Sequence, residues 1–159
     1  MPAGRPQRSS MIFIGYGGGE GKEIAEDVCL WFQRKGFDAL TVAGEIEDSI
    51  PFLESQETIL QALPKFDLAV MVCTRGAVHS RRFRDETEKL VYDLEKPTIA
   101  FVMRGAPLLN TLRLRTRVYF ARNHHRNAFG DLFSVVNKLL ADHKQTRRLV
   151  RGTSDTGYA

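Results

Sequence analysis

Short apolar runs that alternate with helical patterns constrain this chain more than any other feature. Met11-Ile-Phe-Ile-Gly15 is a buried-strand run that ends in a glycine-rich turn. Ile24, Val28, Trp31 and Phe32 then recur at helical spacing over 22–35, and Gly36 stops that helix. Phe37–Val42 reads as a second strand, and an acidic, irregular stretch, Ala43–Ser49, leads to Pro51. A short helix carries Ile59, Leu60 and Leu63 and is expected to end at Pro64. Phe66–Cys73 is the clearest strand, followed by a helix over about 81–94 with Phe83, Thr87, Leu90, Val91 and Leu94 inward. Thr98–Met103 and Val118–Ala121 are further strands, and Phe129, Leu132, Phe133, Val136, Leu139 and Leu140 define a last amphipathic helix. The Gly/Pro-containing, arginine-rich connection 104–115 carries no periodicity that assigns it to an element. Strands that alternate with helices require right-handed crossovers, so the expected fold is α/β, a parallel sheet covered on both faces.

The expected organisation is an arm at 1–10, one domain over 11–141, and a loose basic tail over 142–159. At 159 residues, 43% hydrophobic and 26% charged, the chain is long enough for one core and is not of disordered composition. Its longest apolar runs, such as Leu68–Cys73, are too short to span a bilayer. Met1–Ser10 leads into no apolar signal region, so a cytoplasmic location is expected. Cys29 and Cys73 sit in apolar surroundings without CxxC spacing and read as buried reduced thiols. Charge is split along the chain. Residues 1–79 hold 7 Lys/Arg against 11 Asp/Glu, a net of −4, and residues 80–159 hold 16 against 8, a net of +8. That asymmetry suits an anionic small ligand or contact between two copies. Nucleic acid is a poor fit, because aromatic residues are not interleaved with the basic ones.

In parallel sheets ligands bind beyond the carboxyl ends of the strands, which directs attention to 15–22, 43–52, 73–80 and 103–116. The first loop, Gly15-Tyr-Gly-Gly-Gly-Glu-Gly-Lys22, fails as a P-loop: Tyr16 stands at the first glycine position and Glu23 at the magnesium-binding hydroxyl. It also fails as a dinucleotide fingerprint, with Glu20 where the third glycine belongs. Its glycines still permit backbone amides to approach a phosphate at a helix start, or they serve the turn alone. A phosphoacceptor receiver is excluded, since Gly15-Tyr16 and Cys73-Thr74 occupy the places of its acidic residues. A flavodoxin needs hydroxyl side chains in a first loop that here has none. No metal is expected: His124 and His125 are adjacent, and His79 and His143 have no ligand spacing.

Glu86 lies three residues after Phe83 and four before Leu90, on the apolar stripe of its helix and in its second turn. A carboxylate there costs several kcal/mol unless it is paired, hydrated in a cleft, or used. An arginine partner, a flank position that reaches water, and a catalytic role all satisfy that constraint. Asp85 and Glu88 fall on the outward side.

The segment Cys73-Thr-Arg-Gly-Ala-Val-His-Ser-Arg-Arg-Phe-Arg-Asp-Glu86 resembles a motif of the TIR domain family, with Thr74, Ser80 and Glu86 at matching spacings. Ala77 replaces the usual aromatic, and Arg82-Phe83 replaces Trp-Cys. Phe13-Ile14-Gly15-Tyr16 is similar to the family's opening Phe-Ile-Ser-Tyr strand, and the order of elements is closer to its prokaryotic nucleotide-binding group. The resemblance covers 11–141. It implies a flavodoxin-like three-layer fold and cleavage of NAD⁺ at the nicotinamide–ribose bond, with Glu86 as catalytic residue and NAD⁺ as substrate rather than cofactor. Nicotinamide leaves as a neutral molecule from a cationic linkage, so one carboxylate that steadies the ribose cation suffices. Gly15, Tyr16, Gly17, Gly18, Gly19, Thr74, Ser80 and Phe83 are the expected substrate-binding residues.

The resemblance further implies that Gly44, Glu45, Ile46, Glu47 and Asp48 close the site or mediate self-association. Ile50-Pro51 stands where the family ends that loop in Pro-Gly. Homo-oligomerisation, a sensor or effector protein as partner, and a role in prokaryotic antiviral defence are implied in the same way. Two other readings stay open. One is a non-catalytic TIR adaptor, which Ala77 and Arg82 favour; the other is a nucleoside deoxyribosyltransferase-like enzyme, which shares the fold type and uses a glutamate on ribose.

Overall fold

The computed structural model describes residues 9–41 and 58–157, with side chains through residue 144. Five strands form one parallel sheet: β1 (Met11–Tyr16), β2 (Asp38–Thr41), β3 (Leu68–Cys73), β4 (Thr98–Met103) and β5 (Thr116–Phe120), in the order β2-β1-β3-β4-β5. Ile12 of β1 sits beside both Ala39 and Leu68, and Val70 of β3 sits beside Ile99, so the register is continuous across the middle. All six residues of β3 and of β4 are buried. Strands covered on both faces need no polar alternation, which is why they read as unbroken apolar runs. The edge strand β5 alternates instead: Val118 and Phe120 are buried, whereas Arg117 and Tyr119 are exposed.

Helix α1 (Gly19–Arg34) links β1 to β2, and α2 (Arg81–Glu88) continues as a π-helical turn, Lys89–Asp93, before β4. The β1-to-β2 and β3-to-β4 crossovers run in opposite directions along the sheet. Right-handed connections therefore put α1 and α2 on opposite faces. Helix α3 (Phe129–Gly157) shares the α1 face, where Trp31 meets Phe129 and Phe133 with ring centroids 5.5 Å apart in each pair. Ile24, Ala25, Val28 and Phe32 form the buried side of α1, as the spacing predicts. Fully burying each such large aliphatic or aromatic side chain contributes about 1.5–3 kcal/mol.

Some boundaries differ from the sequence reading. Helical residues 58–62 pass into a 3₁₀ turn, Leu63–Lys65, that contains Pro64 rather than stopping before it. Proline is tolerated at the start of a turn, where its missing N–H donates to nothing in any case. The connection 104–115 gains one 3₁₀ turn, Asn110–Leu112, anchored by fully buried Leu112. Helix α3 runs to Gly157, past residue 141, where a loose tail was expected. The arm at 1–8 and the segment 42–57 lie outside the described residues.

Candidate active site

The β1–α1 turn and the β3–α2 turn meet at the carboxyl edge of adjacent central strands, beside the switch in strand order where ligands bind in such sheets. Gly18, the residue before α1, has φ 83°, a left-handed conformation that favours glycine. Gly17 is required by packing: a Cβ there would lie 2.8 Å from the Ser80 Cβ and 3.0 Å from the Phe83 Cβ. Thr74 Oγ1 donates to the Gly17 carbonyl at 3.4 Å and fastens the end of β3 to this loop. Ser80 caps α2, its Oγ accepting from the Phe83 N–H at 3.2 Å. Such a cap contributes about 1 kcal/mol and fixes where α2 begins.

Between the two turns lies a cleft of about 310 Å³, lined by Tyr16, Gly18, Gly19, Lys22, Ser80, Arg81 and Arg82. Of the expected substrate-binding residues, Tyr16, Gly18, Gly19 and Ser80 line it. Gly15, Gly17, Thr74 and Phe83 are buried behind it and hold its walls. The proposed closing loop, Gly44, Glu45, Ile46, Glu47 and Asp48, falls outside the described residues. Sequence reasoning missed the three cations, Lys22, Arg81 and Arg82. Their signal was the placement of Arg81 and Arg82 directly after the Ser80 cap, at the sheet edge where a helix start already favours an anion.

Glu86 is fully buried and lies one helical turn below Arg82. Arg82 is itself 8% exposed, and its Nε is 3.8 Å from the Glu86 Oε2. The same guanidinium donates from Nη2 to the Tyr16 carbonyl at 3.3 Å, with Cζ 4.8 Å from the centre of the Tyr16 ring. Among the described residues, neither Glu86 oxygen nor the buried Tyr16 hydroxyl has a hydrogen-bond partner. Desolvation pushes the Glu86 carboxyl up to about 8; Arg82 opposes that rise, and nearby Asp85 adds to it. An arginine at i−4 and an apolar stripe thus both apply to Glu86, and burial outweighs the pairing. Asp85 and Glu88 lie on the outer side, as their spacing predicts.

Cys29 and Cys73 are buried free thiols pushed up to about 11 and about 12 by burial, which leaves both unreactive at neutral pH. Among the described residues no three His, Cys, Asp or Glu side chains cluster as metal ligands do. No described helix is long and apolar enough to cross a membrane.

No protein-family model and no curated protein matches this sequence. Among solved structures, the CMP N-glycosidase BcmB of Clostridium botulinum is similar over 79% of this chain and 99% of its own, with a TM-score of 0.58 and 14% sequence identity. At that identity the likeness is one of fold. It agrees with the flavodoxin-like α/β architecture that the strand order displays.

Proposed function

We propose that this chain is a nucleotide N-glycosidase that breaks the bond between a ribose C1′ and its base, with Glu86 as the carboxyl that serves the reacting carbon. The observation that carries this reading is a fully buried carboxyl, both oxygens without a hydrogen-bond partner among the described residues, one turn beneath a cation-lined cleft. Burial of that kind costs several kcal/mol and is concentrated at sites of use. The cations Lys22, Arg81 and Arg82 suit a phosphate, and the helix start beside Gly18 and Gly19 adds amide dipoles. The glycosidase activity of the structurally similar BcmB supports the same reaction class.

In hydrolysis the C1′–N bond breaks with its electron pair leaving on the base, and a water oxygen bonds to C1′. For a neutral base one water proton ends on the base and the other stays on the new hydroxyl. For NAD⁺ nicotinamide departs neutral and a proton is released instead. An ionised Glu86 steadies the cationic ribose; a protonated one is a proton donor. The TIR resemblance favours NAD⁺ as substrate. Two observations favour a nucleoside monophosphate: the CMP-cleaving enzyme of similar fold, and a carboxyl that burial keeps protonated at neutral pH, which suits a base that must be protonated to leave.

Incubation with NAD⁺, with CMP and other nucleoside 5′-monophosphates, and with deoxynucleosides, followed by chromatography of the bases, tests the proposal. Release of a free base by the wild type and not by Glu86→Gln is expected. Intact substrates throughout would overturn it and leave the adaptor reading.

A further inference from the structure

Arg82 stands between the cleft and the carboxyl. It lines the cleft, whereas Glu86, fully buried, does not. Its guanidinium lies against the Tyr16 ring, reaches the Tyr16 carbonyl, and faces the Glu86 carboxyl from above. Any substrate that reaches Glu86 from the cleft must displace it. The contact with the carboxylate oxygen is long for a charged pair, at 3.8 Å. Good charge-assisted bonds run to about 2.7–2.9 Å, and a phosphate offers a guanidinium two of them in parallel.

We propose that Arg82 is a specificity gate: a phosphate bound in the cleft draws its guanidinium off Glu86, so that anion binding and exposure of the carboxyl are one event. Lys22 and Arg81 hold the anion where Arg82 can follow it, and Tyr16 is the surface along which the guanidinium moves. A nucleoside without phosphate occupies the cleft and leaves the gate shut. Selectivity for phosphorylated substrates then comes from unmasking the carboxyl as well as from affinity. Arg82 acts here as a positioning residue, and this inference rests on Glu86 being the reacting carboxyl.

The gate is tested without turnover by NMR of protein labelled at the glutamate carboxyl carbon, with the Glu86 signal assigned by its loss in Glu86→Gln. Titration with inorganic phosphate at constant pH is expected to move that signal saturably in the wild type. In Arg82→Met, which keeps the volume of the stem, the signal should start displaced and not respond; Arg82→Lys should restore part of the response. Phosphate that shifts the Gly18 and Gly19 amides but leaves the Glu86 carboxyl unmoved overturns the gate. So does absence of phosphate binding. In parallel, phosphite added to a nucleoside is expected to raise base release by roughly 5–150-fold, the usual range of coupling between two sites, and to have no such effect on Arg82→Met. An equal rate with and without phosphite in the wild type, where base is released, counts against the gate. A carboxyl that responds to phosphate in a protein that releases no base leaves the gate standing and removes the glycosidase reading.

Discussion

Helix α1 is bounded by two polar regions that treat a carboxylate in opposite ways. On the side of the segment after β5, Asp27 receives His125 Nε2 at 2.7 Å and Arg126 Nη2 at 3.2 Å, while Glu20 pairs with Arg122 at 3.6 Å. Partial burial by itself raises the Asp27 pKa, but the hydrogen bonds and charges of His125 and Arg126 outweigh it and hold the group below its ordinary value. On the side of the cleft, Glu86 has one cation at 3.8 Å and no hydrogen-bond partner among the described residues, and burial drives it the other way. One carboxylate joins two elements, whereas the other is held out of water with its bonding capacity unspent. The contrast teaches that a nearby arginine does not by itself make a salt bridge structural: distance and desolvation decide the sign.

The largest test of this contrast is catalytic. Glu86→Gln keeps the shape and removes the charge and the acid, so base release should fall by at least about 100-fold while the far-ultraviolet circular dichroism is unchanged. An active Glu86→Gln protein would reduce Glu86 to a buried structural residue and collapse the distinction.

The next is stability against pH. Glu86 has its pKa raised in the folded state, to about 8. Its protonated form therefore supports the fold fully below the unfolded carboxyl pKa, and that support is lost as pH rises towards 8. Urea melts should show the wild type close to Glu86→Gln near pH 5 and less stable than it by several kcal/mol near pH 9. A pH-independent difference would mean that the carboxyl is solvated.

Asp27 carries the opposite sign. Its folded pKa lies below the ordinary value for an aspartate, so its support is present at neutral pH and is lost as pH falls through the lowered value. Asp27→Asn should cost about 1 kcal/mol at pH 7, given its partial exposure, and next to nothing at a pH below the lowered value. Equal losses at both pH values would show that packing, not charge, makes this contact.

The smallest effects separate backbone strain from ligand contact within the lining of the cleft. Gly18→Ala is strained by its φ of 83° and should lower stability by about 1 kcal/mol. Gly19 has open space where a Cβ would go, so Gly19→Ala should leave the melting temperature alone and raise the KM a few-fold. If Gly19→Ala alters neither, the substrate does not touch that side of the cleft.

The sequence by itself determined the layered α/β fold, because apolar runs over 11–15, 66–73 and 98–103 leave no polar face and must be covered twice. It also placed Glu86 on the apolar stripe with Phe83 and Leu90, and its full burial settles against a flank position that reaches water. Spacing alone also set Arg82 one turn from Glu86 on the same helix. Local pattern ends there: only the tertiary structure laid that guanidinium on Tyr16, from a strand 66 residues earlier, and closed water off from the carboxyl. The Asp27–His125 contact spans 98 residues and left no trace in spacing. Gly17, read as freedom for a phosphate, is required by the approach of Ser80 and Phe83 from the next crossover. Periodicity reports which face of one element is buried. Charge pairing and close approach are set between elements, by the register and handedness that bring them together.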